Sequence, residues 1–224
     1  MFWIVTQPGG TVDLFGEERQ PTMREFEERA ARRGYCRVAG IDEAGRGALA
    51  GPVVAAAVIL PPGLDIPGVD DSKKLTPCHR DELFDIITER ALAVGVGFGD
   101  HRLIDRINVL QATLEAMKSA VQQLSAPPDF LLIDGISKVP SPIHQQTIKK
   151  GDSASLSIAA ASIIAKVTRD RLMTDFDNDY PGYGFAGHKG YGSESHMAAI
   201  ARFGPCEIHR KTFRGVREHL RSEE

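Results

Sequence analysis

Two adjacent carboxylates, Asp42 and Glu43, close a short apolar stretch in the run AGIDEAGRGALAGPVVAAAVIL, residues 39–60. Gly45-Arg46-Gly47 follows at once, and then a β-branched and alanine-rich stretch from Val53 to Leu60. The pattern predicts a strand, a tight glycine turn and a second strand, with the acids at the mouth of the hairpin. Carboxylates at a strand end attract divalent cations. The amide groups of a Gly-x-Gly turn, with a guanidinium between them, suit a phosphate or a sugar hydroxyl. An ordinary hairpin with a solvated acidic pair has the same local pattern, so the rest of the chain must separate the two.

Length and composition narrow the classes. At 224 residues the chain fits one domain with a proper core. No apolar stretch reaches the roughly 18 uncharged residues of a bilayer span. The start, MFWIVTQPGG, lacks the basic and long apolar regions of a secretory signal, so no membrane partner is expected. Cys36, Cys78 and Cys206 are an odd count without CxxC spacing, which predicts reduced thiols and a cytoplasmic location. Net charge is −3 but unevenly divided. Residues 1–135 hold 14 basic and 20 acidic side chains, net −6, and residues 136–224 hold 13 and 10, net +3, with five of the seven histidines. The basic half is either a phosphate-tracking face or a set of solvated helix faces.

The elements that must position these groups follow from periodicity and punctuation. Residues 1–21, with Pro8, Gly9-Gly10 and Pro21, read as a loosely organised extension before a single domain, 22–224. Thr22 is placed to cap a helix that stops at Gly34. Strands are expected near 36–42 and 51–60, then a loop over 61–75. Thr76-Pro77 opens a helix to about Ala91. A third strand at 93–100 precedes a long helix from about Asp105 to Leu124. FLLID, 130–134, is a buried strand ending on a carboxylate, and 143–149 a fifth strand running into Gly151-Asp152. A small-residue-rich helix over 155–179 stops before Pro181. A glycine-rich loop, 181–192, and helices near 193–203 and 214–222 form a C-terminal helical segment from about 181. The order argues for an α/β sandwich around a mixed sheet.

Five blocks stand out: GIDEAGRG at 40–47, DDSKKLT at 70–76, LLIDG at 131–135, KGDSASLSIAAASIIAKVTRDR at 150–171 and PGYGFAGHKGYGS at 181–193. Together, and in this order, they resemble the ribonuclease HII family over about residues 35–213. The resemblance implies a ribonuclease H-like fold with a mixed five-stranded sheet and a C-terminal helical segment. It implies an endoribonuclease that cuts on the 5′ side of ribonucleotides embedded in duplex DNA, and the RNA strand of RNA–DNA hybrids, leaving a 3′-hydroxyl and a 5′-phosphate. A nucleic-acid substrate and a monomer are implied with it. HLRSEE at the C-terminus shows no clear sliding-clamp-binding peptide, and the glycine motif and large N-terminal domain of ribonuclease HIII are missing.

By the same resemblance Asp42, Glu43, Asp134 and Asp152 are the catalytic carboxylates and hold two divalent ions. Asp42 and Asp134 chiefly hold the one that activates water, and Asp152 shares the one that stabilises the leaving oxygen. All are hard oxygen donors, and no Cys or His has metal spacing, which favours Mg²⁺ or Mn²⁺ over zinc. Neighbours on a regular strand face opposite ways, so Asp42 and Glu43 require a break or bulge, or a metal off the strand end. Gly45, Arg46 and Gly47 are placed to read the ribose 2′-hydroxyl, and Tyr191 to pack against the adjoining sugar. Ser72, Lys73, Lys74, Asn108, Lys166 and Arg169 are expected on backbone phosphates. His188, His196 and His209 read as surface or phosphate-contacting residues rather than general bases. Ala48 stands where the family usually has proline, which is expected to loosen the turn. A junction resolvase or transposase-type nuclease of the same fold would need no 2′-hydroxyl reader. A catalytically idle binding module would have lost a carboxylate, and all four are present.

Overall fold

β2 (Val53–Ile59), VVAAAVI, is buried at all seven positions, which requires cover on both faces and a partner at each edge. The computed structural model, which describes residues 22–69 and 75–220, provides them. β2 pairs antiparallel with β1 (Val38–Ala44) and with β3 (Ala93–Gly99). β4 (Phe130–Asp134) lies parallel to β1, and β5 (His144–Ile148) parallel to β4. The order is β3-β2-β1-β4-β5, the expected mixed five-stranded sheet with β1 at its centre.

Alternation along the strands divides the core. Ala39, Ile41, Val53, Ala55, Leu131 and Ile133 face α3 (His101–Gln122). Ala56 and Val58 face α2 (Pro77–Arg90) and α4 (Leu156–Asp179). Small residues let the helices close on the sheet. A Cβ on Gly40 would fall 2.1 Å from the Ser157 carbonyl carbon, so α4 rests directly on the central strand. On the other face, Cβ atoms on Gly95, Gly97 and Gly99 would fall 2.1, 2.0 and 2.8 Å from the carbonyl oxygens of Ala120, Ala116 and Ala112. Four helical residues advance about 6 Å and two strand residues about 6.6 Å. An alanine at every fourth position of α3 therefore meets a glycine at every second position of β3.

α1 (Glu25–Arg32) docks through Ala30 and Phe26 beside Phe130 and Ile158. Glu27 Oε1 accepts bonds from the Ser155 and Ser157 hydroxyls, both at 2.6 Å, and from the Ser157 N–H at 2.9 Å. After α4 the chain makes a short helix, α5 (Phe185–His188), and α6 (Glu194–Phe203), capped by Ser193. Ala50, Met173, Phe185 and Ile208 form a small core that ties this segment to the β1–β2 connection. Among the described residues no helix is long and apolar enough to cross a membrane.

Several boundaries differ from expectation. The Thr22 side chain caps nothing; α1 starts after Arg24, and Thr22 offers only its carbonyl to the Glu25 N–H. α3 starts at His101 because the Asp100 side chain caps it through the Leu103 N–H. It bends at Asn108, whose φ of 68° breaks the helix and whose Oδ1 recaps it through the Leu110 and Gln111 N–H groups. The glycine-rich loop contains α5, and the helix expected over 214–222 is a short 3₁₀ turn, Arg217–His219. The extension 1–21 and Ser72, Lys73 and Lys74 lie outside the described residues.

The α3–β3 contact leaves no room for a methyl group at Gly97. Gly97→Ala is expected to destabilise the chain by about 1–3 kcal/mol, about 2–4 °C of Tm for each kcal/mol. Gly187→Ala, where a Cβ meets nothing within 4 Å, serves as the control in the same thermal melts and should shift little.

Candidate active site and nucleic-acid interface

The carboxylates gather where the central strands part. The β1–β4 ladder ends at Ile41↔Ile133, and the next residues are Asp42 and Asp134. The β1–β2 ladder continues through Asp42↔Ala56 and Glu43↔Ala55 to Ala44↔Val54, so the strand neither breaks nor bulges between the two acids. A regular strand alternates its faces, yet Glu43 lines one cleft with Ser162, the residue that bonds Asp42. Asp42 turns toward α4, is 4 % exposed and is hydrogen-bonded by Ser162. Its Oδ1 also accepts the Glu43 N–H at 2.7 Å. Glu43 pairs with Arg46 at 3.1 Å. Asp134 Oδ1 accepts the Gly151 N–H at 2.7 Å and so anchors the turn that carries Asp152. The sequence places Asp152 at a strand end; β5 instead stops at Ile148, and Asp152 lies buried in a 3₁₀ turn after a left-handed Lys150.

Burial, and then the charges of Glu43 and Asp134, hold the Asp42 carboxyl well above its ordinary range. Among the described residues no three acidic, histidine or thiol groups converge into a ready-made cation cage. The donors are nevertheless all oxygens, and like charges are crowded around a buried carboxylate. A hard divalent cation removes that penalty, so the residues present fit Mg²⁺ or Mn²⁺.

Beside the acids, the β1–β2 connection is held from beneath by two arginines, both fully buried. Arg210 donates to the carbonyls of Gly45 at 2.7 Å, Arg46 at 2.8 Å and Gly51 at 3.0 Å. Arg169, on α4, donates to those of Pro52 at 3.0 Å, Ala50 at 3.2 Å and Lys189 at 2.9 Å. Among the described residues all peptide bonds are trans, and a trans peptide points its N–H opposite to its C=O. With the Gly45 and Arg46 carbonyls drawn inward, the Arg46 and Gly47 amides face outward. Gly45 has φ +94°, and a Cβ there would strike Arg169 at 2.0 Å; at Gly47 a Cβ meets nothing within 4 Å. Ala48, expected to loosen the turn, donates its N–H to the Gly45 carbonyl at 3.3 Å, a bond that proline cannot make.

The outward face opens on a cleft of about 620 Å³ lined by Glu43, Gly45, Arg46, Gly47, Lys166 and Tyr191, with Arg80 and Ser162. Tyr191 is 38 % exposed, and its ring lies 5.3 Å from the Arg169 guanidinium and 6.0 Å from the Lys166 ammonium. Lys166 is partly buried and paired with Asp170 at 2.7 Å. Of the residues expected on phosphates, Arg169 is enclosed among carbonyls, and Asn108 uses its side-chain oxygen to cap a helix. His196 and His209, read as surface residues, are both fully buried. Ser162, Arg80 and Arg210 are site residues that the motif reading passed over. An arginine after a histidine in a polar tail carries no sign in the sequence that it folds back under residues 45–51.

A mixed sheet clasped by helices, with carboxylates where its central parallel strands part, defines a ribonuclease H-like hydrolase. The comparisons agree. Residues 39–216 match the family model for ribonuclease HII, and the chain belongs to that family. It is 72 % identical over 210 residues to a ribonuclease HII of Geobacter sulfurreducens, covering 94 % of this chain and 97 % of that one. It is 69 % identical over 214 residues to one of Geotalea uraniireducens, covering 96 % and 99 %. Ribonuclease H2 from Pyrococcus horikoshii superposes with a TM-score of 0.68 at 28 % identity, over 81 % of this chain and 96 % of that one.

Two stability measurements test this geometry. Arg210→Lys replaces a planar five-donor fork with one ammonium, leaving buried carbonyls unbonded at about 1–3 kcal/mol each, and is expected to lower Tm. Asp42→Asn should do the reverse at pH 7 in EDTA. A carboxyl whose pKa is raised on folding destabilises the fold progressively as pH rises above its unfolded value, and the amide removes that penalty. Cleavage activity should be lost in the same variant.

Proposed function

We propose that the chain hydrolyses the phosphodiester on the 5′ side of a ribonucleotide in duplex DNA, and cuts the RNA strand of RNA–DNA hybrids, leaving a 3′-hydroxyl and a 5′-phosphate. The observation that carries this reading is the outward pair of amides at Arg46 and Gly47, residues that line one cleft with Glu43 and Tyr191. Ribose differs from deoxyribose in its 2′-hydroxyl, which both donates and accepts. An amide N–H held rigidly beside the reacting phosphate can recognise that hydroxyl without a side chain, and open space at Gly47 lets a sugar approach.

Two divalent cations, Mg²⁺ or Mn²⁺, held by Asp42, Glu43, Asp134 and Asp152, would supply an activated water and stabilisation of the leaving 3′-oxygen. The protein's own residues do the rest. Asp134 fixes the Gly151–Asp152 turn through its Gly151 bond. Ser162 and the Glu43 amide orient the Asp42 carboxylate. Tyr191 offers a flat face to the neighbouring sugar, and Lys166 and Arg46 present positive charge to the backbone. Loss of such a phosphate contact weakens binding across sequences and flattens its salt dependence.

A labelled duplex with one ribonucleotide, beside its all-DNA twin, tests the reading. The expected result is one cut on the 5′ side of the ribonucleotide in Mg²⁺ or Mn²⁺, none in the twin and none in EDTA, with the activity lost in Asp134→Asn. Equal cutting of both duplexes would make it a general nuclease. Gly47→Ala is expected to change stability by no more than about 0.5 kcal/mol while reducing cleavage, because the added methyl occupies space reserved for the sugar.

A further inference from the structure

Tyr191 is held through its backbone by histidines that reach back to the C-terminal segment. The Cys206 N–H donates to His209 Nδ1 at 3.0 Å, so that nitrogen carries no proton and the neutral ring is protonated at Nε2. The Cys206 thiol, 3.1 Å from the same nitrogen and pushed up to about 11 by burial, remains a donor as well. His209 Nε2 lies 3.0 Å from His196 Nε2. His209 therefore donates and His196 accepts, which puts the His196 proton on Nδ1, where it donates to the Tyr191 carbonyl at 2.9 Å. One amide at Cys206 thus dictates the tautomer of both rings. Burial lowers both imidazoles to about 4, so the pair is neutral at pH 7.

A third ring completes the clamp. His188 stacks on His196 at 4.3 Å and 15°. Its Nδ1 accepts the Gly190 N–H at 3.2 Å, which leaves Nε2 to donate to the Tyr183 carbonyl at 2.8 Å. The His188 carbonyl in turn accepts the Tyr191 N–H at 2.9 Å. Both backbone groups of Tyr191 are thereby tied to histidines, while its ring stays half-exposed over Arg169.

We propose that His196 and His209 are positioning residues for Tyr191, their directional pair setting how its ring meets the sugar beside the cut. This rests on the reading of Tyr191 as a sugar contact. A misplaced ring slows the cut more than it weakens binding, because the duplex is gripped mainly through its phosphates.

The test is a cycle of variants assayed on the single-ribonucleotide duplex, with Tm recorded for each. His209→Met fills the space without donating and is expected to lower kcat about 10- to 100-fold with KM nearly unchanged. His209→Gln keeps an N–H toward His196 and should restore most of the rate. In a Tyr191→Ala background His209→Met should cost nothing further, since both changes disturb the same contact. Independent multiplication of the two losses, or full kcat in a folded His209→Met variant, would overturn the proposal. If Tyr191→Ala alone keeps full rate and ribose selectivity, the sugar-contact reading falls, and the proposal with it. Nitrogen NMR of the histidine-labelled, unmutated chain at pH 7 tests the pair even if a variant fails to fold. Nε2–H on His209 and Nδ1–H on His196 are expected, and the opposite tautomers or a protonated ring would contradict it.

Discussion

Two guanidinium groups lie buried under the β1–β2 connection with no carboxylate partner among the described residues, bonded instead to six main-chain carbonyls. Removing a charge from water is expensive unless its donors are all engaged, and a planar five-donor fork is the side chain best able to engage several carbonyls at once. Burial, and then the charge of Arg169, push Arg210 down to about 9, still protonated at neutral pH. The arrangement is costly to build and hard to deform. Turning a Gly45 or Arg46 carbonyl away would strand a buried cation, so the outward direction of the next amides is fixed by charge as well as by sterics.

The active site depends on a second opposition on the same strand. β1 carries Asp42 and Glu43 into the region where β4 delivers Asp134, and the connection just beyond them lies over two buried cations. Negative charge collects on one side of the cleft and positive charge beneath the other. In the proposed function, such a boundary would draw a cation to the acids and a phosphate to the turn. The C-terminal segment gives this division its rigidity: Arg210 reaches the turn, His209 reaches Tyr191 through His196, and the Lys211 and Thr212 N–H groups bond Asp105 on α3.

The frame of this arrangement was legible in the sequence. Strand alternation, the Thr76-Pro77 start of α2, and the carboxylates after AGI and FLLI follow from local patterns that tertiary packing reinforces. What was hidden depends on distant partners. Arg169 sits on a helix in the sequence KVTRDR, where the motif points it at a phosphate; the carbonyls that enclose it belong to residues 50, 52 and 189. His196 and His209 are 13 residues apart and meet only because the chain doubles back after α6. The cap that Asn108 makes was hidden because nothing nearby announces a φ of 68° in a helix. In each case a polar side chain serves the backbone, and backbone needs cannot be read until the fold supplies them.

A crystal structure of Asp134→Asn with a duplex containing one ribonucleotide would test the central claim directly. With the Arg210 bonds to Gly45 and Arg46 intact, the ribose 2′-oxygen should lie within about 3.2 Å of the Arg46 or Gly47 nitrogen, beside Tyr191. A 2′-oxygen bound by side chains alone, or a turn whose carbonyls had swung out to meet it, would contradict the account.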